Sequence, residues 1–437
     1  MPRRIAFVSP CGGGNLGDAA IIDSLIGGIR ARVPDAEIVG FTGNPGDTAR
    51  RHGVDAFPLR AALGVQTPAA AADGAEPVGE EPAHRGEPLW KRLLRRVPAA
   101  QSSRRTAVRL MADTRYYRQV EQRLRGYDLI VVAGGGQFDE LFGGPFRHPY
   151  TLWRFGMMAR SVGARFAILS VGTGTLRRVG RLFVRRTLAL ADWASFRDSR
   201  SRQLVGAGAA RAAVVPDLAY GRQLERQPAP VAPADPSARS VVGVSPMAYG
   251  DPRFWPRHDQ ALYRQHVASL ARLTIDLLGA GHEVVLFSTD GPDRLSVEEL
   301  RSEVGPALRP EQRARLRVPE VGSVERLLEI LGSVEVVVAA RFHGVLLAHL
   351  VGRPALAIAH ERKVSTLMDE MGQSRFCTPI DSFDVAGARR TFDEMHAGRA
   401  ALAADIRTRV AQYRRRVDDQ YDRLLGLSPS QTLAGVS

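Results

Sequence analysis

Arg341 and His343 stand two apart where the buried run VEVVVAA ends, just ahead of Gly344 and an apolar helical stretch through Val345, Leu346, Leu347, His349 and Leu350. A guanidinium beside an imidazole at a helix N-terminus forms an anion site, and the imidazole can also move protons near neutral pH. If strand geometry persists through the pair, both side chains point to one side. A lone Arg or His at a strand end is usually structural, whereas the pair in this context points to function. Lys363 follows the next apolar run. In a chain with 58 arginines and only two lysines, Lys91 and Lys363, a lysine here suggests a need for a compact point charge.

The N-terminal half offers backbone instead of side chains. CGGGNLGD (Cys11 to Asp18), AGGGQFDE (Ala133 to Glu140) and VGTGTL (Val171 to Leu176) each follow an apolar run. Glycine is costly to fix, so such clusters mark either a special backbone path or close approach of a ligand. Packing of a tight turn explains any one of them; three on one sheet edge point to a shared crevice. The positions expected to approach a ligand are Gly13, Gly14 and Asn15 in the first loop and Gly135, Gly136 and Gln137 in the second. A phosphate would rest on backbone amides and on a helix N-terminus from Asp18 onward. Asp18 itself reads as a helix N-cap or as an acid or base beside the crevice. The first loop is not a dinucleotide fingerprint, because no acidic residue ends the second strand (VGFTGN), and no Gly-Lys-Ser or Gly-Lys-Thr exists for a Walker loop.

These groups need a scaffold. Short β-branched runs alternate with helical patterns along all 437 residues, which predicts an α/β chain with two Rossmann-like, doubly wound domains facing a cleft. Expected strands run from Arg4 to Ser9, Glu37 to Thr42, Asp128 to Ala133, Phe166 to Val171, Trp193 to Phe196 and Ala213 to Pro216. A second set runs from Val241 to Ser245, Glu283 to Ser288, Arg315 to Val318, Glu335 to Ala339 and Ala355 to Ala359. The proline-rich segment 225–240 reads as a hinge between domains 1–224 and 241–385. Residues 386–437 read as one long helix and a tail. Its stripe Ile406, Val410, Tyr413, Val417, Tyr421 and Leu424 needs a partner surface, expected on the first domain.

Segment 64–88, rich in Ala, Pro, Gly and Glu, predicts disorder. After it, LWKRLLRRV at 89–97 sets Trp90, Leu93, Leu94 and Val97 against Lys91, Arg92, Arg95 and Arg96. Such a turn either docks on its own domain or makes peripheral contact with an anionic membrane. The net charge of +14 favours anionic partners, but no zinc-finger spacing, RNA-binding signature or long basic helix indicates nucleic acid. Cys11 and Cys377 form no zinc or disulfide framework. No run reaches the ~20 apolar residues of a membrane span, and MPRRIAFVSP lacks a signal peptide's apolar core, so a cytoplasmic location is expected, with any membrane contact at the inner face.

Taken together, GNLGDAAI, VVAGGGQF, FRDSRSRQLV, VVPDLAY and ARFHGVLLAHLVGRPALAIAHERKVSTLMDEMG resemble the polysaccharide pyruvyl transferase family. The resemblance spans nearly the whole chain apart from 64–105, the hinge and the tail. It implies a fold like that of GT-B glycosyltransferases, phosphoenolpyruvate as co-substrate without a cofactor or metal, and pyruvate joined as a ketal to a sugar of a cell-surface polysaccharide or glycolipid. By match to the family's R-x-H motif, Arg341 and His343 contact the donor. Many members carry a basic residue soon after the first strand of the second domain, where this chain reads GVSPMAYGDPRFW, and Arg253 is assigned that place. Lys363 and the glycine loops would add cations and amides. His343 would bind the donor and supply acid chemistry, and Asp18 would act as base on a sugar acceptor, lipid-linked or free. The alternative on the same fold is a GT-B glycosyltransferase using a nucleotide sugar; a non-catalytic sugar-binding module is the third reading.

Overall fold

The chain's β-branched runs are buried on both faces, as strands must be when helices cover both sides of a parallel sheet. In the computed structural model, which describes residues 3–61, 113–141, 143–231, 239–255 and 257–426, they form two sheets. The first contains β1 (Arg4–Ser9), β2 (Glu37–Thr42), β3 (Asp55–Pro58), β4 (Leu129–Ala133), β5 (Arg165–Val171), β6 (Trp193–Phe196) and β7 (Ala213–Val214). The second contains β8 (Val241–Ser245), β9 (Glu283–Leu286), β10 (Leu316–Arg317), β11 (Val336–Ala339), β12 (Ala355–Ala359) and β13 (Cys377–Pro379). All pairings are parallel, in the orders β3-β2-β1-β4-β5-β6-β7 and β10-β9-β8-β11-β12-β13.

Each order reverses once, between β1 and β4 and between β8 and β11. Loops leaving adjacent strands at such a switch diverge to opposite faces and open a crevice at the strands' C-terminal ends. Those loops carry Pro10 to Asn15 and Gly134 to Gln137 in the first sheet, and Met247 with Ala340 to His343 in the second. The sequence fold therefore delivers its glycine turns and its Arg-x-His pair to the same kind of place twice. The first sheet is longer by β3 and the second by β13, two edge strands of four and three residues that carry partly exposed and polar positions. Such short edges lack an apolar alternation to announce them.

The long C-terminal helix is two. Val385–Ala397 ends at Gly398, and Arg399–Leu425 continues from it. The second helix begins against the second domain, where Arg409 Nη1 and the Tyr413 hydroxyl donate to Glu370 O at 3.1 and 3.3 Å. It ends on the first: Tyr421 sits on Gly28, whose added Cβ would meet its ring at 2.5 Å, and faces Ser24 Oγ at 3.4 Å. Arg32 pairs with Asp418 and Asp422, and Gln420 reaches Ser170, Ser195 and Trp193. Ile406, Val410, Val417, Tyr421 and Leu424 are buried, and Tyr413 is half-buried with its ring edge-on to Tyr220 at 5.1 Å.

The segments 64–88 and 89–97 lie outside the described residues, as do 232–238 of the proline-rich connection. Among the described residues no helix is long and apolar enough to cross a membrane.

Candidate active site

The two switch points face one another across a cavity of about 320 Å³. Asn15, Asp18, Gly135, Gly136 and Gln137 line it from the first domain, and Arg341, His343 and Lys363 from the second. The domains touch at its floor. Leu16 N donates to Thr289 O at 3.0 Å, and the His343 ring lies against Gly17, where an added Cβ would stand 2.1 Å from the imidazole.

The first loop answers differently from its sequence. Gly12, Gly13 and Gly14 have φ of +107°, +104° and +96°, a path that side chains resist, so the glycine run is needed for its backbone shape. Gly13 and Gly14 do not line the cavity; they lie against Gly291 of the second domain, whose added Cβ would be 3.5 Å from Gly13 O. The helix Leu16–Arg30 starts two residues before Asp18 and its N-cap is Asn15, whose Oδ1 accepts from Gly17 N at 3.0 Å and Asp18 N at 3.2 Å. With Leu16 N bound to Thr289 and Ala19 N to Asn15 O, the first turn has no free amide for a phosphate. Asp18 is therefore released from capping. In the second loop Gly135 passes beneath Asp18, 3.8 Å from its Oδ1 to an added Cβ. Gln137 Nε2 donates to the carbonyls of Val8, Ala133 and Gly134, which pins the loop, while its Oε1 is buried without a partner.

The open helix ends are in the second domain. Phe342–Leu350 and Arg362–Glu370 both start without a side-chain cap, at the cavity. Strand geometry does not persist through the Arg-x-His pair: β11 stops at Ala339, the helix begins at Phe342 instead of Gly344, and the two side chains separate. Arg341 turns to two carboxylates, with Nε 2.6 Å from Asp293 Oδ2, Nη2 2.9 Å from Asp293 Oδ1 and Nη2 3.0 Å from Asp290 Oδ2. A fork held this way is an anchor of the site more than a free clamp. Lys363, in the first turn of Arg362–Glu370, has Nζ 2.9 Å from Glu361 Oε2 and remains partly exposed to the cavity. Arg253 is elsewhere, on an outer surface with Asp251 and Glu299, because Asp251 two residues back captures its guanidinium at 2.6 Å. It does not line the cavity.

Arg197 stands where a cation was sought. It follows β6, lines the cavity, lies 4.2 Å over the Phe342 ring, and pairs with buried Asp217 at 3.2 Å. Gly172 makes room for it, since a Cβ there would meet Nε at 2.6 Å. Both Arg197 and Asp217 sit in segments that carried the family resemblance, yet neither drew a role from sequence. Their position just after strands of the first sheet was the available signal.

Burial moves the two titratable groups in opposite directions. Burial, then the carboxylates of Asp290 and Asp217, pushes Asp18 up to about 7 against the pull of Arg197 and Lys363. Burial also lowers His343 to about 4, helped by Arg197, Lys363 and Arg341 and opposed by Asp217. At neutral pH the imidazole is uncharged, and its Nε2 is buried without a partner, whereas burial holds Asp18 far more readily protonated than an ordinary carboxylate. His343 is thus a neutral hydrogen-bonding group, and among the carboxyls that line the cavity Asp18 and Asp139 are both pushed up by burial. His360, held by Nδ1 to Ala340 O at 2.9 Å, is likewise driven neutral by burial. Among the described residues no cluster of three or more His, Cys, Asp or Glu side chains is placed to hold a metal ion.

The contact between His343 and Gly17 sets the distance between the two halves of the site. Gly17→Ala forces the ring and the helix start apart, and turnover is expected to fall on the order of 10²-fold, the cost of displacing a catalytic group by about an ångström. Steady-state kinetics beside the parent checks this; parental turnover would show the contact to be dispensable.

No curated protein matches the chain. Among solved structures, HepE of Anabaena in complex with UDP is similar with a TM-score of 0.54 at 13% identity, over 97% of this chain and 99% of that one. MnaA of S. aureus with UDP gives 0.55 at 9%, over 98% of each chain. The UDP-GlcNAc 2-epimerase of Neisseria meningitidis bound to UDP-GlcNAc gives 0.55 at 9%, over 97% and 100%. At such identities the likeness is one of fold, and the fold is GT-B-like. Function follows from the sequence: the profile described as polysaccharide pyruvyl transferase matches residues 15–362, most of the chain, which therefore belongs to that family of transferases.

Proposed function

We propose that this cleft moves pyruvate from phosphoenolpyruvate to two hydroxyls of a sugar in a cell-surface polysaccharide or glycolipid, forming a ketal and releasing phosphate. The observation that carries the reading is the pairing of a buried carboxyl, Asp18, with a cationic second-domain wall across one cavity. Phosphoenolpyruvate brings a phosphate and a carboxylate. The uncapped starts of Phe342–Leu350 and Arg362–Glu370, Lys363 and Arg197 supply donors and positive charge for both.

The atoms balance without a cofactor. A proton passes to the C3 methylene, making it a methyl group, and positive charge develops at C2. One sugar hydroxyl adds to C2 and the C2–O bond to phosphate breaks. The second hydroxyl then adds to the same carbon. Of the two hydroxyl protons, one replaces that given to C3 and one leaves on phosphate. In this reading Asp18 delivers the first proton and, once ionised, accepts one from the acceptor. Neutral His343 orients an oxygen through Nε2, and the fixed Arg341 holds the start of its helix.

The test supplies label in one donor at a time. With envelope glycans from a strain deleted for the gene as acceptor, radiolabelled phosphoenolpyruvate should label the glycan with matching phosphate release. Transfer of label from a UDP-sugar and none from phosphoenolpyruvate would instead establish the nucleotide-sugar reading.

A further inference from the structure

Six large apolar side chains are exposed among the described residues, and four of them, Phe146 (70%), Leu182 (47%), Met157 (46%) and Val179 (45%), lie on one face of the first domain. Helices His148–Val162 and Arg178–Leu190 build it by packing side by side. Gly180, Val184, Thr187 and Leu188 turn inward, which leaves Val179 and Leu182 outward. Rings join the two helices: Phe183 lies 5.7 Å from Phe146, 5.5 Å from Tyr150 and 5.6 Å from Trp153. A soluble surface rarely gathers its large apolar groups this way without a partner.

Charge says what that partner is. Between Leu141 and Ala191 the chain has nine arginines and no Asp or Glu, although the whole protein has 46 acidic residues. Arg177, Arg178 and Arg186 are exposed beside Val179 and Leu182, while Arg160 pairs with Asp192 at 3.7 Å and Arg185 donates to Val205 O. Aromatic and aliphatic groups ringed by arginine match the boundary between acyl chains and anionic headgroups. A two-fold contact with a second copy would set the same arginines against themselves.

We propose that this face docks on an anionic lipid bilayer. The face adjoins the cleft, because Leu141 and His148, at its N-terminal edge, line the cavity, and Arg177 N, just before the second helix, is held by Glu140 at 2.9 Å. Docking therefore holds the mouth of the site at the membrane, within reach of an acceptor carried on a lipid. The surface is distinct from residues 89–97, and the docking does not depend on the identity of the donor.

Sedimentation of the full chain with vesicles tests it. The protein should pellet with mixed phosphatidylglycerol–phosphatidylcholine vesicles, weakly with pure phosphatidylcholine, and less as salt rises. Phe146→Asp with Leu182→Asp should weaken binding at least ~10-fold. Arg177→Gln, Arg178→Gln and Arg186→Gln should weaken it roughly fivefold for each arginine removed. Phosphate release with a soluble acceptor should be unchanged in both sets. The proposal is overturned if the full chain ignores anionic vesicles, whether a second copy seen by ultracentrifugation or another part of the chain covers the face. It is equally overturned if both variant sets bind like the parent while Trp90→Asp abolishes binding, which would assign the lipid contact to residues 89–97.

Discussion

Replacing Asp18 by Asn is expected to cut turnover by roughly 10²- to 10⁴-fold, the range contributed by a positioned proton donor. Asn keeps the shape and loses the proton. In the parent, Asp18 titrates at about 7, and a bound polyanionic donor pushes it further in the same direction. The acid form gives the proton, so kcat/KM, which reports the free enzyme, should fall as pH rises through about 7, and kcat, which reports the donor complex, should fall at higher pH. The linked stability has the opposite use. An unfolded aspartate titrates near 3.9, so the native chain binds the extra proton between about pH 4 and 7, and that contribution is lost as pH rises through the window. Asp18→Asn has no such loss and should be at least as stable as the parent above pH 7. Rate profiles and urea unfolding at matched pH separate the two effects. An Asn variant with the parental rate profile would remove Asp18 from the chemistry.

Arg341→Ala should lower stability by about 3–5 kcal/mol, the cost of removing one partner from a buried ion pair. Asp293 is fully buried, and its carboxylate takes Arg341 Nε and Nη2 and also Ala248 N at 2.9 Å. Without the guanidinium its buried charge keeps only the Ala248 amide and faces the carboxylate of Asp290. The loss is a large share of the ~5–15 kcal/mol that holds a typical domain. Arg341→Lys should restore little, because a single ammonium cannot make the fork. Adding Asp293→Asn to Arg341→Ala should recover part of the stability by removing the stranded charge. Denaturant unfolding checks both variants. An Arg341→Ala protein with parental stability that loses only affinity for phosphoenolpyruvate would restore the simpler role of donor clamp.

The scaffold was legible because the nine interior strands are written as largely apolar runs, and these, with the two-residue edge strands β7 and β10, fall where the sequence places them, within a few residues at each end. β3 and β13 were not, since edge strands of mixed polarity look like loops. The cavity wall was legible too: Asp18, Asn15, Gly135, Gly136, Gln137, Arg341, His343 and Lys363 all line it. What sequence could not supply was the partner of each group. Whether Asn15 or Asp18 caps a helix depends on where the first turn starts. Arg341 looks like a free cation until Asp290 and Asp293, some fifty residues earlier, fold beneath it. Arg253 looks available until Glu299 arrives beside Asp251. The proton roles depend on burial summed over both domains, so an imidazole that reads as the natural acid becomes neutral while a carboxylate takes the proton.

In the proposed reaction the enol methylene of phosphoenolpyruvate receives a proton in this cleft and the resulting pyruvyl group stays attached to sugar. Turnover in deuterated water, followed by mass spectrometry and NMR of the glycan product, reads this directly. The expected product is a ketal-linked pyruvyl group whose methyl carries solvent deuterium, formed by the parent and lost in Asp18→Asn. A glycan that gains a sugar from a nucleotide donor, or no group from phosphoenolpyruvate at all, would contradict it.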